Sequence, residues 1–128
     1  MIYVDTSVVL AHLLAEDRKP SEAFWSQPLV SSRLTEYETM VRVHALRVSS
    51  THEEPARELL SRLALLELSP LVLGRALDPF TPPVRTLDAL HLASIEYLRG
   101  RGLEIRLASF DVRLNRAAES LGIPIASV

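Results

Sequence analysis

Apolar residues in this chain fall into short runs and helical stripes that alternate from one end to the other. Ile2-Tyr3-Val4 is a continuous apolar run closed by Asp5, which predicts a short buried strand over 2–5; Thr6 or Ser7 then opens a helix through about Ala15. Pro20 and Ser21 introduce a short helix over 21–26, and Leu29-Val30-Ser31 after Pro28 predicts a second strand. Leu34, Tyr37, Val41, Ala45 and Val48 recur at helical spacing and predict a long amphipathic helix. Pro55 suits the first turn of the next helix, which carries Leu59, Leu60, Leu63 and Leu66; residues 65–69 read equally as its end or as a third strand.

Leu71 to Leu77 reads as helix, and Pro79, Pro82 and Pro83 mark the main break in the chain. Thr86 is placed to cap a strongly apolar helix from Leu87 to Leu98, terminated by Gly100 and Gly102. Glu104 to Ser109 alternates as a strand, Val112 to Leu121 is helical with Gly122 at its end, and Ile123 to Ala126 forms a last strand. Strands alternating with helices imply an α/β fold, a parallel sheet with helices on both faces, and 128 residues suit a single domain spanning 1–128.

Asp5, Asp88 and Asp111 each stand where an apolar stretch gives way to a helix signal, and Glu38 lies on the predicted stripe of its helix, at i+4 from Leu34 and i−3 from Val41. In an open parallel sheet ligands bind outside the carboxyl ends of the strands, so Asp5 and Asp111 converge if their two strands are neighbours. Taken singly, each acid has a plainer explanation: Asp5 and Asp111 as N-caps, Asp88 as complement to a helix dipole, Glu38 as an i,i+4 partner of Arg42. Taken together, several buried carboxylates side by side repel and lose solvation, and a hard divalent cation such as Mg²⁺ or Mn²⁺ offsets both costs. Glu36, on another face of the same helix, is expected in solvent.

The strings that carry these acids resemble the PIN domain family. Ile2-Tyr3-Val4-Asp5-Thr6-Ser7 looks like that family's opening strand, and the segment from Ser32 through Glu38 its second motif. Asp88-Ala89-Leu90-His91-Leu92-Ala93 resembles the third motif and Ser109-Phe110-Asp111 the fourth, so the likeness covers nearly the whole chain. Within the family the length looks most like the VapC-type toxins of prokaryotic toxin–antitoxin pairs. The resemblance implies a three-layer α/β/α sandwich with a central parallel sheet, and a Mg²⁺- or Mn²⁺-dependent endoribonuclease using Asp5, Glu38, Asp88 and Asp111. It further implies an RNA substrate, a cognate VapB-like antitoxin whose C-terminal segment fills the groove, and a homodimer. One departure is that Val112-Arg113-Leu114-Asn115 supplies no further acid after the fourth motif, where many relatives have one.

Around these acids, Ser7 and Ser109 are candidates to hydrogen-bond the carboxylates, and Arg42 and Arg85 to contact phosphate. His91 falls in an apolar helix and reads as a packed, satisfied side chain rather than a general base, and core packing is the expectation for Trp25 and Tyr37. Net charge is −2, unusual for a nucleic-acid binder, but setting the four acids aside leaves twelve acidic groups against 14 basic ones. The absence of cysteine excludes disulfides, zinc–thiolate sites and thiol nucleophiles, and no membrane span or leader is evident; a cytoplasmic protein is expected. A receiver-type phosphoacceptor domain needs a lysine opposite its acids, and the sole lysine, Lys19, lies in a loop. A PIN-like module that binds RNA or a partner without cutting, and a DNA-directed nuclease on the same fold, remain the alternatives.

Overall fold

A computed structural model describes residues 1–128. Strand β1 (Ile2–Val4) leads through α1 (Thr6–Leu13) and α2 (Glu22–Trp25) to β2 (Leu29–Ser32), and α3 (Arg33–Ala45) and α4 (Ser49–Ser61) lead on to β3 (Ala64–Leu66). Helices α5 (Pro70–Leu77) and α6 (Thr86–Gly100) precede β4 (Arg106–Ala108), and α7 (Val112–Ser120) completes the chain.

All strand pairings are parallel and the order across the sheet is β3-β2-β1-β4. The strands alternate sides. Ile2, Val4, Leu29 and Ala108 pack on one face with Val8, Val9, Phe24, Trp25, Leu59 and Leu60. Tyr3, Val30 and Leu107 pack on the other with Leu92, Ile95, Leu98, Leu114 and Ala118. The period-two alternation of the strands thus gives two apolar cores, one under α1, α2 and α4 and one under α6 and α7, which is the expected three-layer sandwich.

Chain order runs outward from β1 to β3, then returns to the far side of β1 at β4, so the strand order reverses between β1 and β4. In a parallel sheet every strand ends at the same edge, and the crevice at such a reversal is where ligands bind. Asp5 follows β1 and Ser109 follows β4; the two strands are in register from Ile2↔Arg106 to Val4↔Ala108, and the Asp5 amide donates to the Ala108 carbonyl at 3.0 Å.

Several expectations change. The open choice at 65–69 resolves as a strand starting earlier, β3, and the helix before it stops at Ser61, leaving Leu63 buried in the connection. That helix begins at Ser49, so Pro55 sits inside it rather than in its first turn, on an exposed face where water can take up the carbonyl left without a donor. Thr86 is the first helical residue of α6 and Arg85 its N-cap, with no capping side-chain bond. The last strand shrinks to one bridge, Leu107↔Ile125.

The largest correction concerns α3. Its buried line is Leu34, Thr35, Thr39 and Val43, while Tyr37 is 64% and Val41 47% exposed, and Ala45 also faces solvent. Two threonines occupy the inward positions that a hydropathy stripe assigns to larger apolar groups. The helix also ends before Val48.

Candidate active site

The site is built from the first residues after β1 and β4 and from one face each of α3 and α6. Asp5 caps α1: its Oδ2 accepts the Ser7 amide at 3.3 Å, the Ser7 hydroxyl at 2.6 Å and the Ser109 hydroxyl at 2.9 Å. The two hydroxyls are themselves fixed, because Ser7 Oγ accepts the Phe110 amide at 3.0 Å and Ser109 Oγ accepts the Asp111 amide at 2.9 Å. Backbone of the β4–α7 connection therefore orients both serines, and both spend their single proton on Asp5. The carboxylate is only 5% exposed.

Asp111 caps α7 in turn, one oxygen accepting the amides of Arg113 at 2.9 Å and Leu114 at 3.3 Å. The capping explanation thus holds for Asp5 and Asp111, yet it engages one oxygen of each. The second oxygen of Asp5 takes no hydrogen bond and lies 3.7 Å from His91 Nε2, while that of Asp111 is unengaged.

Glu38 enters from α3. Its Oε1 accepts the Thr6 hydroxyl at 2.8 Å and His91 Nε2 at 2.8 Å, so two donors converge on one oxygen and leave the other free. Arg42 is exposed and forms no ion pair with it, contrary to the i,i+4 alternative. Glu36 instead pairs with Arg33 at 3.3 Å.

His91, which sequence reasoning sets aside as a packing residue, joins the site from a position that is 2% exposed. Its Nδ1 meets the Tyr3 hydroxyl at 2.7 Å. Since a carboxylate only accepts, Nε2 must carry the proton shared with Glu38. The available signal was its spacing from Asp88, three residues along α6, which puts both on one helix face. Tyr3 and Thr6 gave no such signal; their polar atoms matter only through residues remote in sequence.

Electrostatics reflect this crowding. Burial lifts the Asp88 carboxyl above its ordinary value, and the charges of Asp111 and Asp5 lift it further, against weaker opposition from His91 and Arg85. Burial alone pushes His91 down, but the hydrogen bond to Glu38 and the charge of Asp5 outweigh it and the imidazole is raised. Burial likewise opposes ionisation of Glu38, and the His91 bond overcomes it, leaving that carboxyl below its usual value. Burial and the Asp5 charge keep the Tyr3 hydroxyl protonated.

Oxygen donors around excess negative charge suit a hard divalent cation. The side chains do not yet close on one point: no three Asp, Glu or His groups stand at the spacing of a formed metal shell. Asp88, half-buried, makes neither hydrogen bond nor ion pair. The free oxygens of Asp5 and Asp111, with Asp88, are the donors that fit such an ion.

The remaining candidates lie further out. Arg85 is exposed at the start of α6 and lines a hollow with Asp88. Trp25 is core, its indole donating to His12 at 3.1 Å, whereas Tyr37 is not.

A family model described as PIN domain matches residues 2–120. Ribonuclease VapC46 of Mycobacterium tuberculosis is 32% identical over 130 residues, covering 97% of this chain and 95% of the relative. Ribonuclease VapC35 of the same organism is 27% identical over 132 residues, covering 99% and 96%. A chain of a toxin–antitoxin complex from Klebsiella pneumoniae shares the fold, with a TM-score of 0.65 over 88% of each chain at 19% identity.

Proposed function

This chain belongs to the PIN domain family, and we propose that it is a VapC-type endoribonuclease that hydrolyses RNA phosphodiesters with Mg²⁺ or Mn²⁺ at Asp5, Asp88, Asp111 and Glu38. The observation that carries the reading is that Asp5 and Asp111 follow the neighbouring strands β1 and β4, each with one carboxylate oxygen free of hydrogen bonds, and that the unpartnered Asp88 feels both charges. Capping engages one oxygen of Asp5 and one of Asp111 and accounts neither for their other oxygens nor for Asp88. A protein selected only to fold gains by separating such charges.

A divalent cation held there supplies Lewis acidity at a non-bridging phosphate oxygen and brings water toward ionisation near neutral pH. The chain's own groups do the rest. Glu38, held by Thr6 and His91 through one oxygen, presents the other to the attacking water, orients it and takes its proton. The water oxygen bonds to phosphorus as the bond to the leaving oxygen breaks, and that oxygen picks up a proton, giving one phosphomonoester end and one hydroxyl end. Ser7 and Ser109 hold the Asp5 carboxylate in place through the turnover.

The same reading makes the protein the toxin of a type II pair, held by a VapB-like antitoxin and assembling as a homodimer in the cytoplasm. Exposed apolar side chains support protein partners: Tyr37, Val41 and Leu46 on and after α3, and Leu71, Leu73 and Leu77 on α5. No helix is long and apolar enough to cross a membrane.

Incubation of total cellular RNA with the purified chain tests the proposal. Cleavage is expected with Mg²⁺ or Mn²⁺, and its loss with EDTA or in Asp5→Asn. Activity surviving both treatments, or cleavage of DNA alone, overturns it. Glu38→Gln is expected to abolish turnover while Glu36→Gln preserves it.

A further inference from the structure

Between the loop before α6 and the first two turns of α7 lies an open hollow of about 500 Å³ whose walls include Arg85, Arg113, Arg116 and Asp88, over an apolar floor that includes Pro83 and Ala117. We propose that this hollow binds a backbone phosphate of the RNA strand adjacent to the phosphodiester being cut, an inference that rests on the ribonuclease reading above.

The three arginines carry it. Arg33, Arg57, Arg62 and Arg75 pair with glutamates; of the nine arginines that form no ion pair, Arg85, Arg113 and Arg116 line this one hollow. They gather in one place, and the sole acid lining the hollow with them, Asp88, is itself a proposed metal donor. Two of the three positions are also the wrong ones for folding. Arg85 is the N-cap of α6, and Arg113 lies in the first turn of α7, the ends where the helix dipole disfavours cations and where acids are ordinarily found. Three guanidinium groups lining one hollow, two of them at positive helix ends, stand beside the acids as their counterpart: each set suits a ligand of opposite charge.

The chemistry of that ligand follows from the donors. Guanidinium groups present paired N–H donors that match the oxygens of a phosphate. At the start of α6 no side chain caps the helix, so its first amides also face outward without a capping acceptor. The floor suits a ribose or a base edge rather than a second charge. Because Asp88 borders both places, a phosphate seated among the arginines belongs to a nucleotide next to the reacting one. A single-stranded, flexible backbone can follow this path, and the arginines would set its direction across the site. An acidic segment of a protein partner is the competing occupant, and the experiment separates the two.

The test uses the full chain with EDTA to prevent cleavage. A fluorescein-labelled single-stranded RNA of mixed sequence is titrated by anisotropy at several salt concentrations, with wild type, R113A/R116A, and R101A at the far end of α6 as control. For R113A/R116A the affinity is expected to fall about tenfold, and the slope of log K against log salt to shrink by about 0.7, the loss of one phosphate contact on a single strand. R101A should bind as wild type. Because neither arginine forms an ion pair and Arg113 stands in the first turn of α7, where the dipole disfavours a cation, the double variant is expected to melt at or above the wild-type temperature, which separates lost contacts from misfolding. If wild type cuts RNA yet R113A/R116A binds with unchanged affinity and slope, this inference fails and the ribonuclease reading stands. Unchanged RNA binding with lost affinity for a poly-glutamate peptide likewise overturns it in favour of a protein ligand. If wild type neither binds nor cuts RNA, both fall.

Discussion

Glu38 Oε1 and His91 Nε2, 53 residues apart in the chain, meet at 2.8 Å in a site where the imidazole's other nitrogen is held by the Tyr3 hydroxyl at 2.7 Å. The three side chains form a line from the core to the crevice. With Nδ1 held by Tyr3, the Nε2 proton is aimed at Glu38 Oε1, and the carboxylate's other oxygen is left without a partner.

Tyr3→Phe keeps the ring in the core and removes only the hydroxyl that meets Nδ1. Turnover is expected to fall about tenfold through kcat with KM little changed, and stability to drop by about 1 kcal/mol. Steady-state cleavage of a fluorogenic RNA and a urea melt measure the two effects. A rise in KM at unchanged kcat would place Tyr3 in substrate binding instead.

Stability of the metal-free protein should depend on pH at both sides of neutrality. His91 is raised when folded, first against burial and then by Glu38 and Asp5, so its contribution is complete below its ordinary value near 6.5 and is lost as pH rises through the higher folded value. Glu38 is lowered, so its contribution is present above the ordinary carboxylate range and is lost as pH falls through the lower folded value. Thermal melts in EDTA across pH are expected to show a maximum between these limits, and His91→Gln should flatten the alkaline side.

Asp88 titrates in the opposite sense. Its raised value means that ionisation above that value costs folding stability, so Asp88→Asn is expected to raise the melting temperature of the metal-free protein at pH 7. Wild type should gain stability from Mg²⁺ or Mn²⁺, about 2.7 kcal/mol at a hundredfold excess over Kd, and the variant should lose most of that gain. Calorimetry with and without metal gives both numbers. A destabilised variant in EDTA would mean that Asp88 serves the fold rather than an ion.

On α3, Val43 is fully buried and Val41 is 47% exposed. Val43→Ala should cost about 2 kcal/mol, from two methyl groups and the space they leave, and Val41→Ala less than about 0.5 kcal/mol. Denaturant melts of the pair decide which face of the helix is internal. The reverse ranking would restore the stripe inferred from hydropathy.

Local signals determined much of this protein. Ile2-Tyr3-Val4 before Asp5 and the alternation ending at Ser109 announced strands, Gly102 and Gly122 sit at positive φ where helices end, and the succession of elements implied a parallel sheet. Asp5 and Asp111 were legible because a strand-to-helix junction needs an N-cap, and a parallel sheet brings every such junction to one edge. These features depend on residues a few positions apart, and sequence records them directly.

What the tertiary structure alone decided depends on neighbours remote in the chain. The inward face of α3 carries Thr35, whose hydroxyl bonds Ser31 and Thr6, and hydropathy ranks such a residue below Tyr37 and Val41 although burial ranks it above them. His91 looked like packing until β1 supplied Tyr3 and α3 supplied Glu38. Arg113 and Arg116 carried no signal of their own in the sequence, and only the fold lines one hollow with them, Arg85 and Asp88. Periodicity encodes where a side chain points; it does not encode what waits for it there, because that partner is fixed only when separate segments close on one core.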